Sequence, residues 1–421
     1  MKTNTVRAAL AVCLLSSAAC VLTMPAFAMG DAPTSSAPPP SHGGSTDQKV
    51  SSAVSKLLAP AQKLMQANDF AGALVLIKQA QALPDQTPFD TYEINNFLAN
   101  AAIATKDYAT AYTAYAAMAN SPAMPDGEKS ATLHNAALLA GQSKDYANAI
   151  KYGQAFNALG GPPDPTINAI MAQAYYFTND YTNAEAMAQK ALDNTPAGQA
   201  PNQAALEIML GSQIKAKQQD QAMLTLEKIV TYYDDADDWG QIVDVSMGIK
   251  GIKEMEVLDL YRLRFLAKAS AQDMDYNTAS GVAVGLGYPV EAQGFLDSGG
   301  KANADIRGKA AKDRASMAGF EALVKNSGTG DLELKLAETY YGYGRYADAE
   351  AAARAALAAG GAKMNANEAN MVLGQALIQQ GKTADAIAAF NAISNPTPGM
   401  AKAQHVWLLW ANRKTATPAA H

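Results

Sequence analysis

Histidine and cysteine, the side chains that most often carry nucleophilic, acid–base or metal chemistry, are scarce here: four histidines and two cysteines in 421 residues. His134 is the single histidine inside the early patterned region, with no cysteine or second histidine near it in sequence. A catalytic triad or a zinc site needs two or three such groups converging, so His134 reads as structural or solvent-exposed. His42 lies in a Pro/Ser/Gly stretch, His405 near the C-terminus and His421 at the end. The acidic run Asp234-Asp235-Ala236-Asp237-Asp238 invites a calcium reading, but a calcium loop needs alternating oxygen ligands, a central glycine and a closing glutamate. Trp239 takes one of the ligand positions and no glutamate follows at the right distance. The run is instead expected as an exposed connector whose acids favour the N-terminus of the next helix. Gly281-x-x-x-Gly285-x-Gly287 lacks the Gly-Lys-Ser/Thr ending and the preceding strand of a phosphate loop, and reads as close helix packing and a helix end. No catalytic residue, metal ligand or cofactor site is assigned.

The elements that would position any site repeat along the chain. A charged residue, an aromatic, two residues and an alanine recur as Asp69-Phe70-x-x-Ala73, Asp107-Tyr108-x-x-Ala111, Asp145-Tyr146-x-x-Ala149, Asp180-Tyr181-x-x-Ala184, Asp275-Tyr276-x-x-Ala279 and Arg345-Tyr346-x-x-Ala349. Weaker copies end at Ala222 and Ala386, and the steps between successive alanines are 38, 38, 35, 38, 57, 70 and 37 residues. Five of these seven steps lie close to the period of about 34 residues of a helix–turn–helix solenoid. The apolar period from Val50 onward is that of helix, with no convincing strand. Hydrophobic residues make up 49% and charged residues 17%, and much of the apolar share is alanine, the best helix former and one that lets helix axes approach.

These residues resemble the tetratricopeptide repeat family. The clearest copy spans 165–196: Tyr175 in the aromatic place of the first helix, Asn179 at the turn, Tyr181 wedged between the helices, Ala184 at their crossing, then Ala191-Leu192 and Pro196. A second has Tyr340, Gly344, Tyr346, Ala349, Ala356 and Leu357; a third has Leu373-Gly374, Gly381, Ala386, Phe390 and Pro398. The resemblance implies an all-α helix–turn–helix solenoid of about eight repeats, in two arrays (49–235 and 331–421) joined by an irregular helical middle (236–330), with Trp407 and Trp410 in a capping helix. The middle and C-terminal parts also resemble exported bacterial repeat proteins of unassigned role.

In this family the first helices line a concave groove. The matching positions here are Asn96, Asn100 and Ile103, then Gln173 and Tyr176, then Glu338, Tyr341, Met371, Gln375 and Gln379. Tyr175 and Tyr340 are expected to face the core, leaving Tyr176 and Tyr341 toward the groove. Members that clamp a peptide C-terminus use lysines with asparagines; Asn96 and Asn100 keep the amides but the lysines are absent. Such a groove suits the backbone of an extended segment or an exposed helix.

Lys2 and Arg7, the apolar run from Ala8 to Leu22 and the small-x-small Ala26-Phe27-Ala28 read as a signal peptide (1–28) cleaved after Ala28. The run is short of the roughly 20 residues of a membrane span. Lipidation at Cys20 is the rival reading, but the large aliphatic residue usual three places before is missing. Both cysteines, Cys13 and Cys20, lie in the leader, so the mature chain would use no disulfide. Residues 29–48, rich in Pro, Ser and Gly, are expected to be a disordered tether. Loss of Lys2 and Arg7 with the leader takes the net charge from −6 to −8, which disfavours nucleic acid or anionic membrane as a partner. The expectation is an exported, periplasmic, non-catalytic scaffold for a protein or peptide. A carrier holding a small apolar or glycan ligand around Trp239, Phe265 and Phe295 is one alternative, and a periplasmic enzyme the other. Ala184→Glu is expected to unfold its repeat; unchanged melting temperature and helical content in circular dichroism would refute the register.

Overall fold

The computed structural model describes residues 49–193, 195–196, 198–269 and 272–413. The leader, the tether, both cysteines, His42 and His421 lie outside them. The described residues form twenty α-helices and no strand, which is the all-α architecture expected. Contacts divide the chain into two compact units, one running through Thr225 and one from Leu226 onward.

The first unit is a run of antiparallel helix pairs: α1 (Ser52–Gln66) with α2 (Phe70–Gln81), α3 (Pro88–Ala104) with α4 (Tyr108–Ala119), α5 (Lys129–Gln142) with α6 (Tyr146–Asn157), and α7 (Pro165–Phe177) with α8 (Tyr181–Leu192), followed by α9 (Gln203–Lys215) and the start of α10 (Gln219–Tyr232). Each pair is built by the same local chemistry. The residue before the aspartate of the repeated phrase has left-handed backbone, with φ of 60° at Asn68 and Lys106, 59° at Lys144 and 64° at Asn179, and Lys217 at the weaker copy has φ 60°. Reversal of the chain in so few residues requires that conformation. The aspartate then caps the second helix: Asp69, Asp107, Asp145 and Asp180 accept from the backbone N–H three residues on, at 2.9, 3.1, 3.2 and 3.2 Å. A side-chain oxygen there satisfies one of the otherwise orphaned first-turn donors. Ala73, Ala111, Ala149 and Ala184 are fully buried, because the paired backbones leave room for a methyl group and no more.

The second unit contains the end of α10 and α11 (Ala236–Met247), α12 (Glu254–Leu266), α13 (Asp273–Gly285), α14 (Pro289–Gly299), α15 (Ala304–Ser327), α16 (Gly330–Gly342), α17 (Tyr346–Ala359), α18 (Ala366–Gln379), α19 (Thr383–Asn391) and α20 (Pro398–Asn412). Residues 236–330, expected to be an irregular helical middle between two arrays, form α11 to α15 where described and belong to this unit. The Asp275-Tyr276-x-x-Ala279 phrase does not open a second helix. It lies inside the first helix of a pair: Asp275 sits in the first turn of α13 and accepts from the N–H of Gln272 at 2.8 Å. α13 packs chiefly on α14, across a turn at Gly287 with φ 82°. The local sequence satisfies both readings, and packing chose the other one.

The chain also closes on itself within this unit. α20 packs on α18, α12 and α11. Trp410 meets Trp239 of α11 edge-to-face at 5.0 Å, and the indole N–H of Trp407 donates to the Asp259 carbonyl of α12 at 3.1 Å. The helix expected to cover an open end instead joins the two ends of a ring.

The turn lysines are the strained exception to the glycine and asparagine expected there. Lys144 is exposed, so Lys144→Gly is expected to raise stability by about 0.5–1 kcal/mol, and Lys144→Val to lower it by about 1–2 kcal/mol. Urea unfolding of the two variants beside wild type checks both directions.

Candidate functional site

In the first unit the first helices of successive pairs lie side by side. α1 lies beside α3, α5 beside α7 and α7 beside α9. α3 is tied to the next pair by Tyr92, whose hydroxyl donates to Glu128 at 2.6 Å and lies 3.4 Å from Thr132 of α5. Ile103, Tyr176 and Ile214 each stand three residues before a left-handed turn residue, so the repeat places them at equivalent points on successive helices. Ile103 and Tyr176 are half-buried and Ile214 is 49% exposed. Asn100 is half-buried and donates to the Asn96 carbonyl at 2.8 Å and to the Asn96 side-chain oxygen at 2.9 Å. The expected amide pair is therefore present, with Asn96 buried beneath Asn100. Gln173, half-buried, precedes Tyr176 by one turn of α7.

Tyr176 is not a free-standing ring. Its edge meets Phe177 at 5.6 Å and Tyr181 at 5.7 Å. A side chain at Gly211 of α9 would come within 3.0 Å of it, so Gly211 is small because Tyr176 leans on it. His134 holds adjacent pairs together: its Nε2 lies 3.3 Å from Asp164, the cap of α7. The hydrogen bond that the imidazole donates to Asp164 raises the His134 pKa against the opposing effect of burial, and the same bond lowers that of Asp164. This is a structural task that the sequence context of His134 allows.

The second unit treats the matching positions differently. Glu338 is 3% exposed, Tyr341 6%, Met371 1% and Gln375 fully buried; Gln379 is half-buried, its amide 3.5 Å from the Tyr341 hydroxyl. Except for Gln379, the residues expected along the groove here are buried, and Glu338, Tyr341 and Gln375 meet Arg262 within the ring. Tyr340 and Tyr341 also exchange their expected roles. Tyr341 is the buried ring, while Tyr340 is half-buried, donates to Glu321 at 2.9 Å and carries the Arg345 guanidinium 4.2 Å above it.

At the centre of the ring stands Arg262 of α12, a residue that the repeat pattern did not single out. Its guanidinium donates to both oxygens of Glu291 (α14) at 2.7 and 2.8 Å, to Gln375 (α18) at 3.0 Å and to Asp259 (α12) at 3.3 Å. Glu338 (α16) lies 2.9 Å away as an ion pair, and the Tyr341 ring 4.3 Å from the guanidinium carbon. Burial disfavours the guanidinium charge, but the carboxylates around it outweigh that and raise its pKa. A bidentate carboxylate, an amide and an aromatic face make a complete guanidinium receptor, occupied by the protein's own arginine. The sequence carries little signal for it: α12 also holds Glu254, Glu256, Asp259 and Arg264, so Arg262 does not stand out among its charged residues.

The carrier alternative placed a ligand around Trp239, Phe265 and Phe295. Trp239 is fully buried against Trp410, and Phe265 stacks on Tyr276 at 4.7 Å and meets Phe295 at 5.1 Å. These rings fill the space with each other. In the acidic run, Asp235 caps α11 through the N–H groups of Asp237 and Asp238, and Asp234 accepts from the Trp239 indole at 2.9 Å and pairs with Arg413 at 3.3 Å. Among the described residues no group of three His, Cys, Asp or Glu side chains is arranged to hold a metal ion, and no helix is long and apolar enough to cross a membrane.

Residues 334–400 match the family model described as tetratricopeptide repeat. No curated protein matches the chain. Among solved structures, the chain is similar to the APC/C hetero-tetramer Cut9–Hcn1, at 13% identity and a TM-score of 0.25, over 86% of this chain and 71% of that one.

Removing the guanidinium would strand the buried carboxyl groups of Asp259, Glu291 and Glu338. Arg262→Met is expected to destabilise the second unit by about 3–5 kcal/mol, read as an earlier urea transition in tryptophan fluorescence; a loss under about 1 kcal/mol would refute the central role of this cluster.

Proposed function

We propose that the chain, a protein carrying tetratricopeptide repeats, is a non-catalytic scaffold that binds a protein segment along the inner face of its first unit. The observation that carries this reading is the contrast between the two inner faces. In the second unit the equivalent positions are filled from within. In the first, Asn100, Ile103, Gln173, Tyr176 and Ile214 keep solvent-accessible surface on side-by-side helices. The Asn100 side-chain oxygen can accept from peptide groups of an extended segment, and the aliphatic and aromatic side chains supply apolar contact. Binding makes or breaks no bond, and the scattered histidines and the absence of cysteine from the mature chain agree with that. Export by the 1–28 leader, with a periplasmic destination, is supported by its basic head, apolar run and Ala26-Phe27-Ala28 site.

The carrier reading has no comparable support, since the rings around Trp239 are packed on one another. Affinity capture from an envelope extract, with the full mature chain and an Asn100→Ala/Ile214→Asp double variant, tests the proposal. Ile214 is exposed, and Asn100 is half-buried with its amide on Asn96, so circular dichroism and the urea midpoint are matched to wild type before capture. A captured protein is expected to fall on the order of tenfold, the effect of losing about 1.4 kcal/mol. Equal recovery by both chains would exclude this face as the binding surface.

A further inference from the structure

We propose that closure of the second unit is proton-dependent: α12, α14, α16, α18 and α20 shut around Arg262 while a proton is held between Asp259 and Glu338, and its loss releases α20 from α12. The geometry supplies the argument. Three carboxyl groups converge on one guanidinium, and all four side chains are at most 7% exposed. One positive charge cannot compensate three buried negative ones, and an uncompensated buried charge is resolved by protonation. Asp259 Oδ2 is buried without a hydrogen-bond partner, and Glu338 Oε2, though 2.9 Å from Arg262, lacks the alignment of a hydrogen bond. These are positions where a carboxylic acid would be held more cheaply than a carboxylate.

Of the other groups around the cluster, the Lys335 cation is felt by Glu338, but burial lowers its pKa and its ammonium is directed elsewhere. Lys335 of α16 donates to the Leu286 carbonyl at 2.9 Å and lies over the Tyr288 ring at 3.6 Å. α12 adds Glu256, which accepts from the Thr397 hydroxyl, and α18 adds Glu368, itself pushed up by burial. α17 presents the neutral Tyr346, whose ring meets Tyr341, and α20 the neutral Trp407, through its indole bond to Asp259. Burial, with the repulsion of Asp259 and Glu291, pushes the Glu338 carboxyl up to about 8 against the pull of Arg262. Asp259 rises in the same direction, again chiefly through burial. A carboxyl raised on folding binds its proton more tightly folded than unfolded. Its contribution is full below the ordinary carboxylate range and is lost as pH rises through the folded value.

The seam that opens is where α20 meets α11 and α12, because it joins segments distant in sequence. All three tryptophans, Trp239, Trp407 and Trp410, lie on it, so their fluorescence reports the seam directly. The test is a titration of the full mature chain from about pH 5.5 to 9.5, a range that brackets the folded carboxyl value, following tryptophan emission, acrylamide quenching and far-ultraviolet circular dichroism, on wild type and Glu338→Gln. Wild type is expected to shift to the red and become at least about twofold more quenchable toward the alkaline end, with helical content retained. Glu338→Gln, neutral at every pH, is expected to stay blue and protected throughout. A wild-type signal unchanged across the range, or an identical transition in Glu338→Gln, would overturn the proposal. Should that variant fail to fold, hydrogen exchange of the α20 amides in wild type decides, compared at about pH 6 and about pH 9 after correction for intrinsic rates. Selective loss of protection supports the clasp, and uniform protection refutes it.

Discussion

Two helix backbones meet in each repeat of this protein only because an alanine stands where they cross. Ala73, Ala111, Ala149, Ala184, Ala349 and Ala386 are all fully buried, and any larger side chain would push the axes apart. That single close contact fixes the inclination of the pair, and the left-handed residue with its capping neighbour fixes the turn that leads into it. Aromatics such as Tyr181 and Tyr346 then fill the wedge that two inclined helices leave. The burial of apolar surface supplies the stabilisation, but the geometry is set by the absence of side chain at one point per repeat.

The same hairpin chemistry gives two different interiors. In the first unit the first helices carry carboxamides and aliphatic groups that keep some exposure. In the second, the pairs curve until α20 reaches α12, and the inner face is consumed. Its centre is polar: Arg262 takes one partner from each of α14, α16 and α18. Such a cluster is weaker as a stabiliser than apolar side chains of the same volume. It does fix which residues of four helices face each other, a constraint that interchangeable methyl groups impose less strictly.

Glycines mark the other places where shape, not propensity, decides the residue. Gly211 gives way to Tyr176, and a side chain at Gly374 would overlap the Phe390 ring. In both cases a helix former of higher propensity is excluded by the ring of an adjoining helix.

The residue pattern alone determined the all-helical hairpin architecture, most turn positions and the crossing alanines. These depend on contacts within about 40 residues, which leave a periodic trace. It misread Asp275-Tyr276-x-x-Ala279, because an acid in the first turn of a helix and a capping acid before one satisfy the same local rule. Only the tertiary structure decided that Glu338, Tyr341, Met371 and Gln375 are sealed inside, that Arg262 stands at their centre, and that α20 closes a ring where an end cap was expected. Closure depends on small inclinations summed over several hairpins, and on contacts such as Trp407 with Asp259 and Arg262 with Gln375 that join residues more than a hundred positions apart. No periodic signal along the chain encodes a sum of that kind.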